Sequence, residues 1–480
     1  MFTSVWFIVS FVAFCGVYFS LRQYQRPLLL VAGIAVCVFA GKTAAATIVF
    51  VSLAGFLCGQ KLQESPKPGV LLWAIGLTIS PLVLFKYQHL GSLLAALGLP
   101  GFDQGLPVGV SFYTFSILGY LVDLYIGRIS KGLAFVDFLV FVSFFPKLVS
   151  GPVERAAKFG PQIADGKEFD YGRVVDGLKI IGWGYFLKIV VADRLAPIVD
   201  HAFENPAAFS GIPLALICVL YMFQIYYDFR GYSDIAVGTA KILGYDLTWN
   251  FNRPYAARSV SDYWRRWHIS LMSWFFDYIF IPLSGLLRSW RGAGTVVALL
   301  ATFLVSAIWH GTGLTFLLFG LAHACALSAE FLTTKLRRRV RDFLPKRAYG
   351  ALAWIMTFVF LAFVDVLFRA HTVADAAVIW KNVVTGILPD LAFLAEHGFR
   401  LAAFKTLIAG LPVVKVELLI AVLGIAAIEA VDFLGKQEPV RHALTRLPAY
   451  VRWASYYAVG ASIVFLGAFN SVTTFVYVRF

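Results

Sequence analysis

Long apolar runs recur from one end of the chain to the other, and they decide most of what it can fold into. They include Val5–Ser20, Val70–Phe85, Ile180–Val191, Val296–Ile308, Leu314–Leu332, Ala351–Phe368, Val416–Ala430 and Ala454–Phe469. The longer of these match the roughly 20 residues that a helix needs to cross a hydrocarbon core about 30 Å thick. Inside that medium each backbone N–H and C=O must be paired by the segment itself or within a closed barrel. With the shorter runs broken by Gly or Pro, the sequence predicts an all-α, polytopic membrane protein of roughly ten to twelve transmembrane segments plus interfacial or re-entrant helices. Composition agrees: 60% of the residues are hydrophobic and 14% charged, against roughly 45–50% and about 25% in a soluble domain.

A net charge of +14 raises nucleic acid as a partner. The basic residues, however, gather at the ends of apolar segments and form no soluble basic face with aromatic platforms, which excludes that reading and leaves membrane lipid. The densest cluster, KLRRRVRDFLPKR from Lys335 to Arg347, has seven basic residues against one acidic and marks a cytoplasmic loop. Arg22 and Arg26 follow the first apolar run in the same way. The N-terminus is therefore expected outside, with Val5–Ser20 as a retained span, because MFTS lacks the positive region of a cleavable signal. Five cysteines, Cys15, Cys37, Cys58, Cys218 and Cys325, lie in apolar runs without CxxC spacing, so they read as small hydrophobes.

No Ser/Gly- or Pro-rich linker divides the chain and no repeat of fixed period occurs, so residues 1–480 read as one membrane domain. The polar breaks are Cys58–Gly69, Gly151–Arg173, Asp228–Arg291, 333–347 and 435–448. Between Tyr263 and Ile281 charged and aromatic residues alternate at helical spacing, as in helices that lie at an interface or dip into the membrane.

Most short motifs fail on their context. AGKT at Ala40–Thr43 lacks the first glycine of a phosphate-binding loop, since position 36 is Val. HTVAD, His371–Asp375, matches an H-x-x-x-D element but stands alone. No HExxH, no His pair at i and i+4 and no GxSxG elbow occurs, which argues against zinc chemistry and a serine-hydrolase triad. The histidines remain. His310 follows Trp309 in an apolar stretch and precedes Gly311 and Gly313; such an imidazole is either a satisfied buried group or a working one. His268 adjoins Arg265 and Arg266, and Asp262 is placed to pair with Arg266 at i,i+4. His323 reads as a packing residue. His89, His201, His371, His397 and His442 lie near segment ends and need no special account.

Five blocks in order carry a resemblance: LPVGVSFYTFSILGYLVDLYIGRI (Leu106–Ile129), FFPKLVSGPVERAAKFGPQI (Phe144–Ile163), YYDFRGYSDIAVG (Tyr226–Gly238), NFNRPYAARSVSDYWRRWHISL (Asn250–Leu271) and WHG (Trp309–Gly311), with FVYVRF at the end. The chain resembles the membrane-bound O-acyltransferase family, and within it the branch that O-acetylates alginate; the core of the likeness spans roughly 106–332. The family often has Arg where Phe276 stands and a Gly-Gly-Asn-Arg-like turn near Ser284–Gly292. Those departures bear on donor and polymer rather than on reaction class.

The resemblance implies His310 as the catalytic histidine and His268 as a second functional position. Acyl transfer needs a base near neutral pH, and imidazole, with an unperturbed pKa of about 6.5, suits it. Arg265 and Arg266 are candidates for donor phosphates, with Trp309, Asp228, Tyr232, Ser233, Asp234 and Asn252 as a polar lining. The resemblance further implies no bound cofactor or metal, acetyl-CoA as donor, periplasmic acetyltransferase partners, a bacterial inner-membrane location and an extracytoplasmic polysaccharide as the final acceptor. D-alanyl transfer to teichoic acid and O-acetylation of peptidoglycan or cellulose stay open within the class. A transporter or flippase with a histidine proton relay, and a scaffold for periplasmic enzymes, stand outside it.

Overall fold

The structure is a computed structural model and describes Phe2 and residues 4–87, 106–409, 411, 415–434 and 448–469. The FVYVRF block, His89, His442 and most of the 435–448 break lie outside the described residues. Within them there is no strand, and nine helices are long and apolar enough to cross a membrane, with Val5–Ser20 and Val110–Tyr125 as shorter apolar helices. The protein is all-α and multi-pass.

Several apolar runs became helices almost unchanged. Val5–Ser20 and Leu314–Leu332 coincide with helices, and Val296–Ile308 lies inside Gly292–His310. The Ile180–Val191 run ends the helix Tyr171–Tyr185 and continues as a buried π-helical stretch, Phe186–Ala192. The rejected motifs have structural explanations. AGKT is a helix junction, where Gly41 takes φ +131° between Gln25–Ala40 and Lys42–Glu64. HTVAD is a capping box: Thr372 Oγ1 accepts from the Asp375 N–H at 3.1 Å, and Asp375 accepts from the Thr372 N–H at 3.1 Å, opening the helix Val373–Glu396. All five cysteines are free thiols, and Cys325 is exposed rather than buried.

The chain clusters into two compact units. One holds the residues up to Gly184 with Tyr232–Asn250 and Ser270–Tyr278; the other holds Tyr185–Gly231, Phe251–Ile269 and the chain from Ile279 onward. In the first unit the helices Tyr171–Tyr185 and Gly211–Ile242 meet at two glycines. A Cβ on Gly177 would lie 2.7 Å from the Gly238 carbonyl oxygen, and one on Gly238 equally close to that of Gly177, so the crossing depends on bare backbones.

In the second unit the helices Gly292–His310 and Leu314–Leu332 pack side by side. A Cβ on Gly320 would fall 2.6 Å from the Phe303 carbonyl oxygen. The contact fixes how His310 meets the rings of the following helix.

Candidate functional site

The helix Gly292–His310 ends on the histidine itself. Gly311 continues in extended conformation, and a Cβ there would overlap the Phe316 ring. His310 is 6% exposed. Its ring lies 4.4 Å from that of Trp309, 5.0 Å from Phe368 and 6.3 Å from Phe319. The imidazole therefore has aromatic walls, as a proton-transfer group shielded from bulk water requires.

His268 stands at the end of the basic block. Ser259 caps the short helix Val260–Trp264 by accepting from the Asp262 N–H at 3.0 Å. Asp262 then gathers both arginines, Arg266 at 2.9 Å and Arg265 at 3.8 Å. The expected Asp262–Arg266 pair is present, and Arg265 points outward at 70% side-chain exposure. Arg266 and Asn252 are brought together: the Arg266 carbonyl accepts from the Asn252 N–H at 2.9 Å, and the guanidinium donates back to the Asn252 carbonyl at 3.4 Å.

After this tie the backbone turns at His268 with φ +44°, a left-handed conformation that costs a residue with a Cβ about 1–2 kcal/mol. The ring is 2% exposed and stands edge-on to Phe229, 4.7 Å away at 90°. Packing holds a strained turn there, as functional sites often do.

His323 is the residue that sequence reasoning set aside as packing. It is fully buried, and its Nδ1 accepts the indole N–H of Trp264 at 3.2 Å, which places the proton of the neutral ring on Nε2. Ring contacts then run unbroken between the two candidate histidines. From His310 they pass through Phe319, His323, Tyr263, Trp267, Phe251 and Phe229 to His268, with centroid separations of 6.3, 4.6, 6.3, 5.6, 5.1, 5.0 and 4.7 Å. The WHG and RRWH blocks thus share one aromatic framework. A histidine inside an apolar helix carries no sequence signal that separates this role from ordinary core.

The helix Gly211–Ile242 contributes to two charge clusters of this unit. Asp228 lies 2.6 Å from Lys188, which also meets Asp193 at 2.6 Å. The π-helical stretch that carries Lys188 precedes Asp193, and such stretches often occur at functional positions. Two residues on, Arg230 forms a two-pronged pair with Asp432 at 2.5 and 3.1 Å, while Tyr227 donates to Glu429 at 3.0 Å. Lys188 and Asp432 were invisible as partners because each lies far along the chain from the block it serves.

Tyr232, Ser233 and Asp234 are buried members of the other unit. There a hydrogen-bond chain joins three of the five blocks. Asn250 donates to Ser233 at 3.1 Å and accepts from the Ser270 hydroxyl at 2.6 Å, while Ser270 accepts from the Val153 N–H at 2.9 Å. Tyr232 lies 6.3 Å from the Phe2 ring. Asp277 accepts from Arg155 at 2.9 Å, and its neighbour Phe276 is exposed.

The sequence is similar to several known proteins. Residues 127–368 match the sequence profile of the membrane-bound O-acyltransferase family. A probable alginate O-acetylase of Pseudomonas putida is 32% identical over 395 residues, covering 78% of this chain and 79% of its own. A peptidoglycan O-acetyltransferase of Helicobacter pylori is 33% identical over 305 residues, 58% of this chain and 57% of the relative. A teichoic acid D-alanyltransferase of Bacillus subtilis is 28% identical over 265 residues, 53% of this chain and 67% of the relative.

Proposed function

The chain belongs to the membrane-bound O-acyltransferase family and is an O-acyltransferase of the membrane, and on that footing we propose that it takes acetyl from cytoplasmic acetyl-CoA and hands it across a bacterial inner membrane for O-acetylation of an alginate-like exopolysaccharide. The observation that carries the choice of polymer is coverage. Likeness to the alginate O-acetylase of P. putida runs through 78% of this chain, whereas likeness to the D-alanyltransferase of B. subtilis covers 53%.

In this reading His310 is the general base. The attacking hydroxyl oxygen bonds to the acetyl carbon, the thioester C–S bond breaks, and the hydroxyl proton passes through the imidazole to the departing thiolate. The aromatic walls of Trp309, Phe319 and Phe368 keep competing water from the acetyl group. His268 orients or shares the proton. Arg265 and Arg266 face the donor phosphates, a task that suits guanidinium groups, and Trp309, Asp228 and Asn252 line the approach. Periplasmic acetyltransferase partners complete delivery, and the N-terminus lies on their side.

The test is a donor and acceptor panel with membranes carrying the protein and its periplasmic partner. Acetyl-CoA as donor and base-labile acetyl esters on alginate support the proposal. Preferential transfer to peptidoglycan, or transfer of D-alanine, would reassign the substrate while leaving the family intact.

A further inference from the structure

Between the spans Leu314–Leu332 and Lys346–Arg369 the chain does not form a loose loop. It folds a ten-residue helix, Thr334–Phe343, joined to the first span by Thr333 alone and to the second by Leu344 and Pro345. Such short joints confine the helix to the boundary where both spans end. None of its residues is buried.

Leu336, Val340 and Phe343 recur at i, i+4 and i+7 and so share one face. Leu336 is 59% exposed and Phe343 87%. Basic residues occupy most of the remaining helix surface. Arg337 pairs with Glu330 at 3.6 Å and Arg341 with Asp342 at 3.1 Å, whereas Lys335, Arg338 and Arg339 are exposed at the surface.

We propose that this helix is a binding site for anionic phospholipid headgroups, with Leu336, Val340 and Phe343 seated in the acyl boundary and Lys335, Arg338 and Arg339 against the headgroup phosphates. Charge complementarity selects an anionic lipid over a zwitterionic one. The exposed apolar face selects a lipid over a soluble phosphate, which would use the cations and leave Phe343 in water. The inference stands apart from the acyl-transfer reading.

The full-length protein in neutral detergent is titrated with short-chain phosphatidylglycerol, short-chain phosphatidylcholine and inorganic phosphate. Phosphatidylglycerol is expected to bind tightest. Each basic residue contributes roughly fivefold near an anionic surface, so Lys335→Gln with Arg338→Gln and Arg339→Gln weakens its binding on the order of a hundredfold. Arg338→Lys with Arg339→Lys retains it, and Phe343→Ser weakens it without changing phosphate binding. Equal affinity for the two lipids, or an unchanged affinity in the triple variant, overturns the proposal. So does phosphate binding as tightly as phosphatidylglycerol, which would mark a simple anion site.

Discussion

Trp264 gives its indole N–H to Nδ1 of His323 across 3.2 Å, and this one bond ties the RRWH segment to the helix that begins four residues after His310. Replacing Trp264 by Phe keeps a ring and removes the donor, leaving a buried acceptor unmatched at a cost of about 1–3 kcal/mol. We expect the apparent melting temperature of the purified protein to fall measurably. An unchanged melting curve would show that the bond does not organise the site.

His268 sits in a left-handed turn that glycine adopts freely and alanine does not. His268→Gly and His268→Ala both remove the ring, yet His268→Gly is expected to be the more stable of the two by about 1 kcal/mol. Both are expected to lose acyl transfer. The pair of melting curves with the pair of rates separates backbone strain from the role of the imidazole.

Arg230 and Asp432 form a largely buried pair. Arg230→Met leaves the carboxylate uncompensated and is expected to destabilise by about 3–5 kcal/mol. The double variant with Asp432→Leu is expected to recover much of that loss. Failure of the second change to rescue would mean that the pair is not the main partner of either residue.

Asn250 joins Ser233 to Ser270, and Ser270 accepts from Val153. Asn250→Ala is expected to cost on the order of 2–3 kcal/mol, because it empties a buried polar junction. Thermal unfolding checks this. Full stability would show that the blocks are held together by packing alone.

The spans were legible because an apolar run bounded by Gly or charged residues leaves the chain few options in a membrane. Leu314–Leu332 is the clearest case, and the helix Gly292–His310 was visible in outline. Asp262–Arg266 was legible for a different reason, since both residues lie on one helical turn. What failed were relations between distant segments. Asn250 and Ser270 look like ordinary polar residues until the fold brings Ser233 and Val153 to them. Lys188 sits in an apolar run, and only the π-helical stretch shows it meeting Asp193 and Asp228. His310 followed from the WHG block, but its aromatic enclosure comes from Phe319 and Phe368, which carry no motif.

The role of His310 is tested most directly by transfer from radiolabelled acetyl-CoA in the presence of the proposed periplasmic partner, comparing wild type with His310→Ala at matched membrane level and melting behaviour. Loss of a general base lowers the rate by roughly 10²–10⁴-fold, and a fall of that size with the fold intact is the expected result. Wild-type rates in His310→Ala would contradict the account and remove His310 from the chemistry.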